Sequence, residues 1–215
     1  GRFFPWLLLV DKEWILKNLD KIFPSGQFND RLYNAAWSTL MLYAPAYNDP
    51  FIILKERYLE AAKNVGKVDK SKKRRSSDKD ERLVEHLMLF YGRGKIELND
   101  PLLEEFWKSA NDEMREHALD FTGRNLKSDG EFDEPILARL KLLWENRLAV
   151  AKASSKKEDY EKEMSAFGWW FASARFEDKW SADQYLEALE IGRKTQSDYF
   201  VVIRLAQLVK TLPLE

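Results

Sequence analysis

The stretches EHLMLFYGR, at Glu85–Arg93, and EHALDFTGR, at Glu116–Arg124, agree at the Glu, His, Phe, Gly and Arg positions. Each follows the same tripeptide, Asn48-Asp49-Pro50 ahead of the first and Asn99-Asp100-Pro101 ahead of the second. Two matching phrases in the same order mark an internal repeat, and a repeat decides architecture before composition does. Asp before Pro opens a helix: the carboxylate caps, and Pro takes the first helical position, where its missing N–H costs nothing. The endings Gly92-Arg93 and Gly123-Arg124, with Gly192-Arg193 as a weaker third, predict a left-handed helix C-cap followed by a cation. Each unit reads as a helical hairpin.

From the Asp-Pro start to the Glu-His pair, the first unit is about twenty residues longer than the second. Most of the excess is GKVDKSKKRRSSDKD, residues 66–80, which has no apolar period and reads as a basic flexible insertion between the two helices of a hairpin. Without it the units are nearly congruent.

The remaining segments follow the same logic. Asp11 caps a helix that places Trp14, Ile15, Leu19 and Ile22 on one face, and Phe23-Pro24-Ser25-Gly26 ends it. Leu32, Ala35, Ala36, Leu40 and Tyr43 mark the next helix, closing before Ala44-Pro45. The Asp49 helix turns Leu54, Tyr58, Leu59 and Ala62 inward, and the Asp100 helix does so with Leu103, Phe106, Trp107 and Ala110. Asp133 with Pro135 opens a third version through Leu137, Leu140, Trp144 and Leu148. Helices are then predicted over Tyr160 to Ala174, Ser181 to Ile191 and Ser197 to Leu208, with Ser181 and Gln184 at capping-box spacing. No stretch alternates as a β-strand does.

The chain is therefore read as all-α. It forms a single helical-repeat domain over 1–213, an irregular α-solenoid of antiparallel helix pairs in the manner of a HEAT or TPR superhelix. Units of roughly 31 to 50 residues fit no single named repeat; the small-residue pattern of tetratricopeptide repeats and the ankyrin TPLH phrase are missing. Gly1 and the closing Leu214-Glu215 suggest a fragment of a larger protein, with 214–215 a tag remnant.

The 35 Lys and Arg nearly balance 36 Asp and Glu, which argues against a polyanion-binding surface spread over the whole protein but permits a local basic patch. The chain has no Cys, which removes thiolate metal sites and thiol nucleophiles and fits a cytoplasmic location. The longest apolar run, Phe3 to Val10, is broken by Pro5 and is far short of the roughly 18 residues a membrane span needs. No membrane partner is expected.

Three groups of residues are candidates for chemistry. His86 and His117 occupy equivalent repeat positions, about 10 Å apart for packed helices and too far to share an ion; no HExxH spacing accompanies them. They are expected to pack between helices and bond a carbonyl or carboxylate, and an enzyme cleft beside either ring is the least favoured alternative. Lys67, Lys70, Lys72, Lys73, Arg74 and Arg75 could bind nucleic-acid phosphates with strong salt dependence. No aromatic residue among them would stack a base, and Ser76, Ser77, Asp78, Asp80 and Glu81 dilute the charge, so a solvated loop is the favoured reading. The aromatic segment carries Phe167, Trp169, Trp170, Phe171, Phe176 and Trp180. It is read chiefly as core, with Trp169, Trp170, Phe176 and Trp180 as candidate partner contacts. The pairs Glu104-Glu105 and Glu158-Asp159 look like solvated neighbours. Phosphate loops, dinucleotide fingerprints and nucleophile elbows are absent, so no catalytic residue, cofactor or metal is assigned.

The stretch from His86 to Gly123, together with AFGWWFASARF at Ala166–Phe176, resembles the helical C-terminal regions of large bacterial proteins that carry an N-terminal NTPase or Sir2-like domain, often in genome defence. The resemblance covers about half the chain and contains no catalytic motif. It implies a sensor or scaffold role. The expected function is a non-enzymatic protein-interaction or regulatory scaffold module of a larger bacterial protein, whose partner is another protein, another domain of its own chain or a further copy in an oligomer. Its apolar end, Phe3, Phe4, Trp6 and Leu7, is expected to pack on a neighbour.

Overall fold

The computed structural model describes residues 1–24, 31–67 and 75–210, with the backbone alone at 75–78. Every element among them is helical, and none of the described helices is long and apolar enough to cross a membrane. The chain divides into two compact units, Gly1–Asn111 and Asp112–Glu215. The division falls between the Asp-Pro helix and the Glu-His helix of the second repeat copy.

The first unit contains α1 (Phe4–Val10), α2 (Lys12–Ile22), α3 (Arg31–Tyr43), α4 (Asn48–Ala62), α5 (Arg75–Gly92) and α6 (Pro101–Ser109). Helix α4 packs on α1, α5 and α6, while α5 also meets α3. Its core is a run of aromatic rings. Phe4 meets Phe23 edge-on at 5.3 Å, Trp37 meets Tyr58 at 5.1 Å, and Phe51 stacks on Phe90 at 4.0 Å. Edge-to-face and offset stacks let the positive ring edge meet the negative face, adding to area burial. Arg57 lies among these apolar rows, where its Nε donates to the Phe23 carbonyl at 2.9 Å and its guanidinium pairs with Asp20 at 2.8 Å. It thereby satisfies a carbonyl beyond the end of α2.

The second unit contains α7 (Asp112–Lys127), α8 (Glu134–Ala153), a 3-10 turn (Lys157–Tyr160), α9 (Glu161–Ser165), α10 (Phe167–Ala172), α11 (Asp178–Gly192) and α12 (Asp198–Leu208). Helix α7 packs on α9 and α10, α11 on α8, α9 and α10, and α12 mainly on α10. Trp144 is the hub, stacked on Phe167 at 4.9 Å and met edge-on by Trp170, Phe176 and Trp180 at 5.8, 5.7 and 5.3 Å.

Several caps are where the sequence predicts them. Asp11 accepts the Trp14 N–H at 2.8 Å, and Asp100 accepts the Leu102 N–H at 3.0 Å. Others differ. Helix α4 begins at Asn48, one residue before Asp49, and has no side-chain cap; Asp49 and Pro50 lie in its first turn. Ser181 is buried inside α11, whose cap is Glu177, accepting the Lys179 and Trp180 N–H groups at 2.9 and 2.6 Å. The single helix predicted over 160–174 is interrupted at Ala166. In α3 the buried face is Tyr33, Trp37, Leu40 and Met41, while Leu32 and Tyr43 are exposed. In α2, Trp14 is exposed although Ile15 is fully buried.

The glycines of the repeated phrase do not act as left-handed caps. Gly94, two residues beyond Gly92, has the positive φ after α5. Gly123 is buried inside α7, where a Cβ would come within 2.6 Å of the Trp169 Cβ and 2.7 Å of the Trp170 ring. At the third site Arg193, rather than Gly192, takes the left-handed conformation. Gly192 instead permits close approach, with the Ser165 backbone nitrogen 3.0 Å from where its Cβ would lie.

Candidate interaction surfaces

In the first unit, α1 carries two kinds of side chain. Phe4 and Leu8 face the core, while Phe3, Trp6, Leu7, Leu9 and Val10 face outward, with Trp6 66%, Leu9 75% and Val10 83% exposed. A seven-residue helix that is apolar almost all round cannot bury every face against a single neighbouring layer. Pro5, Trp6, Leu8, Leu9 and Lys12, with Tyr47, Asn48, Asp49 and Pro50 at the start of α4, line a groove of about 390 Å³. Exposed apolar side chains such as Trp6 and Leu9 in a groove that also carries charged groups are common features of a protein interface.

The equivalent histidines are placed differently. His86 is buried in the first unit, its Nδ1 2.8 Å from the Tyr58 hydroxyl and its ring 6.0 Å from Phe90. Burial lowers its pKa to about 4, opposed by its bond with the Ala44 carbonyl and by the Glu85 charge. The neutral ring fits the hydrogen bond: Tyr58, whose own phenol burial pushes upward, donates to Nδ1. His117, in the second unit, is half-buried on α7. The Tyr58 and Phe90 rings and the Ala44 carbonyl stand against His86. Among the described residues, no group of three or more His, Asp and Glu side chains is arranged to hold a metal ion.

Lys70, Lys72, Lys73 and Arg74 lie outside the described residues. Lys67 is exposed, its ammonium bonded to the Lys63 carbonyl, and Arg75 is the first residue of α5.

Of the aromatic candidates, Trp170 is fully buried and its indole donates to the Leu119 carbonyl at 2.7 Å. Phe176 and Trp180 are half-buried against Trp144, Trp180 being bonded to Glu145 at 3.2 Å and covered by the Lys141 ammonium at 4.5 Å. Trp169 is half-buried on the other side, between the Arg124 guanidinium at 5.3 Å and the Phe200 ring at 5.4 Å. The four do not form one face. Helix α12 and the residue after it expose Tyr199, Val202, Leu205 and Val209, and Leu142 of α8 and Leu186 of α11 are exposed as well.

Sequence reading missed Glu163, which is fully buried. Its carboxylate accepts from Arg147 Nε at 2.6 Å, from Arg115 Nε at 2.7 Å and from Arg147 Nη2 at 3.3 Å. Asp112 accepts the Lys162 and Glu163 N–H groups at 3.2 and 3.1 Å, closing the start of α9, and burial raises its carboxyl pKa. This network binds α7, α8 and α9 and offers no open coordination position. The readable signal was Arg147, placed by helical spacing on the same stripe as Leu140, Trp144, Leu148 and Ala151. An Arg there needs a buried anion. Comparison with protein-family models, curated proteins and solved structures finds no match.

Proposed function

We propose that this chain is a non-enzymatic protein-interaction module, an irregular helical-repeat scaffold serving a larger bacterial protein in the cytoplasm, and that α1 and its groove on α4 take an apolar segment of a protein partner. The observation that carries the reading is the pair of exposed side chains Trp6 and Leu9, which line the groove with Pro5, Leu8, Tyr47 and Pro50, on a segment that also exposes Phe3, Leu7 and Val10. Trp is enriched among the few residues that carry most of an interface's binding energy, and helix-in-groove complexes rest on apolar anchors. The repeat-scaffold part is supported by α4 and α6, the two helices that begin within Asn-Asp-Pro, packing against each other, with Lys55 paired to Asp100 at 2.6 Å.

The test is affinity capture from the native host, comparing the parent chain with a Trp6→Ser, Leu9→Ser variant. Both substitutions sit at exposed positions, so helical content and unfolding midpoint should be unchanged. A partner retained by the parent and lost by the folded variant supports the proposal. A partner retained equally by both would place the interface elsewhere.

A further inference from the structure

Three features of helix α12 and the segment before it favour its release from α10. The segment before it contains two non-glycine residues in the left-handed region, Arg193 at φ 58° and Ser197 at φ 66°, and Ser197 occupies the N-cap position without making a side-chain cap bond. Side chains with a Cβ are strained there. Two buried donors in the seat, Trp169 Nε1 and Arg204 Nε, have no hydrogen-bond partner among the described residues. Only Val201 and Leu208 of α12 are buried. The contacts to be released include Arg204 to Asp178, Gln196 to Glu116, the Gln196 N–H to the Ser165 carbonyl at 3.0 Å, Arg193 to Glu161 at 3.3 Å and the Lys127 ammonium over the Phe200 ring at 5.5 Å.

We propose that residues 193–208 form a latch that opens as a unit from α10, pivoting at Arg193 and uncovering Trp169 and Gly168. The fixed side of the pivot is well defined: Gly192 packs against the backbone of α9, so α11 stays in place when the latch moves. Opening relieves the left-handed backbone at Ser197, hydrates both unpaired donors and frees the second face of α12. It exposes the half-buried Trp169 of a helix whose other aromatic residues remain in the core. The latch lies in the second unit, and its existence does not depend on the α1 groove.

Gly168 supplies the lever. A Cβ on this helical residue would lie 2.0 Å from the Thr195 hydroxyl and 2.3 Å from the Gln196 carbonyl oxygen, so the loop has to move while α10 itself tolerates Ala. Hydrogen exchange read by mass spectrometry on the whole chain is the experiment. In the parent, amides of α12 should exchange faster than those of α7 and α11. Gly168→Ala should accelerate exchange over 193–208 by roughly tenfold or more, leaving α7 and α11 unchanged. Ser197→Gly, which relieves the strained backbone at some cost in chain entropy, should slow it by roughly threefold. Parent α12 amides exchanging only together with those of α7 and α11 would overturn the latch. Were Gly168→Ala to unfold the whole unit, Ser197→Gly decides alone: slower exchange confined to the latch supports it, and an unchanged or faster rate refutes it.

Discussion

At the scale of single residues, burial decides roles that identity leaves open. His86 and His117 occupy matching positions in matching phrases, yet one is buried against Tyr58 and Phe90 and the other is half-buried. The difference has a pH consequence. The folded His86 pKa, lowered to about 4 by desolvation, lies below its ordinary 6.5, so between these values the unfolded chain binds a proton that the folded chain refuses. Stability should be flat with respect to this group above pH 6.5 and fall as pH drops toward 4, by about 3 kcal/mol at the lower end. Burial of Asp80, Asp112 and Glu116 raises their carboxyl pKa values and acts in the opposite direction, favouring the folded state at low pH. The clean measurement is therefore the difference in urea unfolding free energy between the parent and His86→Gln across that range. A pH-independent difference would refute the assignment.

At the scale of elements, close approach and buried charge outweigh local propensity. Gly123 sits mid-helix, where Ala is ordinarily favoured by about 1 kcal/mol. Here Ala would drive into Trp169 and Trp170, so Gly123→Ala should lower stability by about 1–3 kcal/mol in chemical denaturation. A stabilised variant would show that α7 and α10 are not in contact at that point. Glu163→Gln removes one charge and leaves Arg115 and Arg147 facing a neutral amide, with an expected loss of about 3–5 kcal/mol. Replacing all three residues by apolar ones of similar volume should recover much of that loss. No recovery would mean the ion network contributes something beyond charge balance. The same elements show why cap prediction was uneven. Asp100 caps because its own backbone is extended, at φ −67° and ψ 131°, and its carboxylate reaches the Leu102 N–H, whereas before α4 the extended residue is Tyr47, so that helix starts at Asn48 and leaves Asp49 inside the first turn.

At the scale of the whole molecule, each compact unit encloses its own aromatic core, and the terminal elements, α1 in the first and α12 in the second, are among those that expose apolar side chains. Purified chain should therefore associate as its concentration rises, visible as a growing sedimentation coefficient, and Trp6→Ser with Leu9→Ser should reduce that association. A monomer at every concentration, identical in both proteins, would count against α1 as an adhesive surface. The division between units after Asn111 also bears on the repeat. The first copy keeps α4 and α5 packed within one unit, whereas the second copy is shared between the two.

The sequence by itself determined the helical class, most helix positions and the inward stripes of α6 and α8, because apolar spacing and helix-start chemistry act over a few neighbouring residues. It also marked Trp144 as a core residue of α8. Only the tertiary structure decided what the repeated Gly and His do, since their roles depend on what approaches from distant parts of the chain. Gly123 is small because two tryptophans of α10 press on it, and His86 is neutral because Tyr58 and the surrounding rings exclude water. Glu163 shows the same limit: in the sequence it is one acid among many, and its burial comes from two arginines, one sixteen and the other forty-eight residues away, that converge on it only after folding.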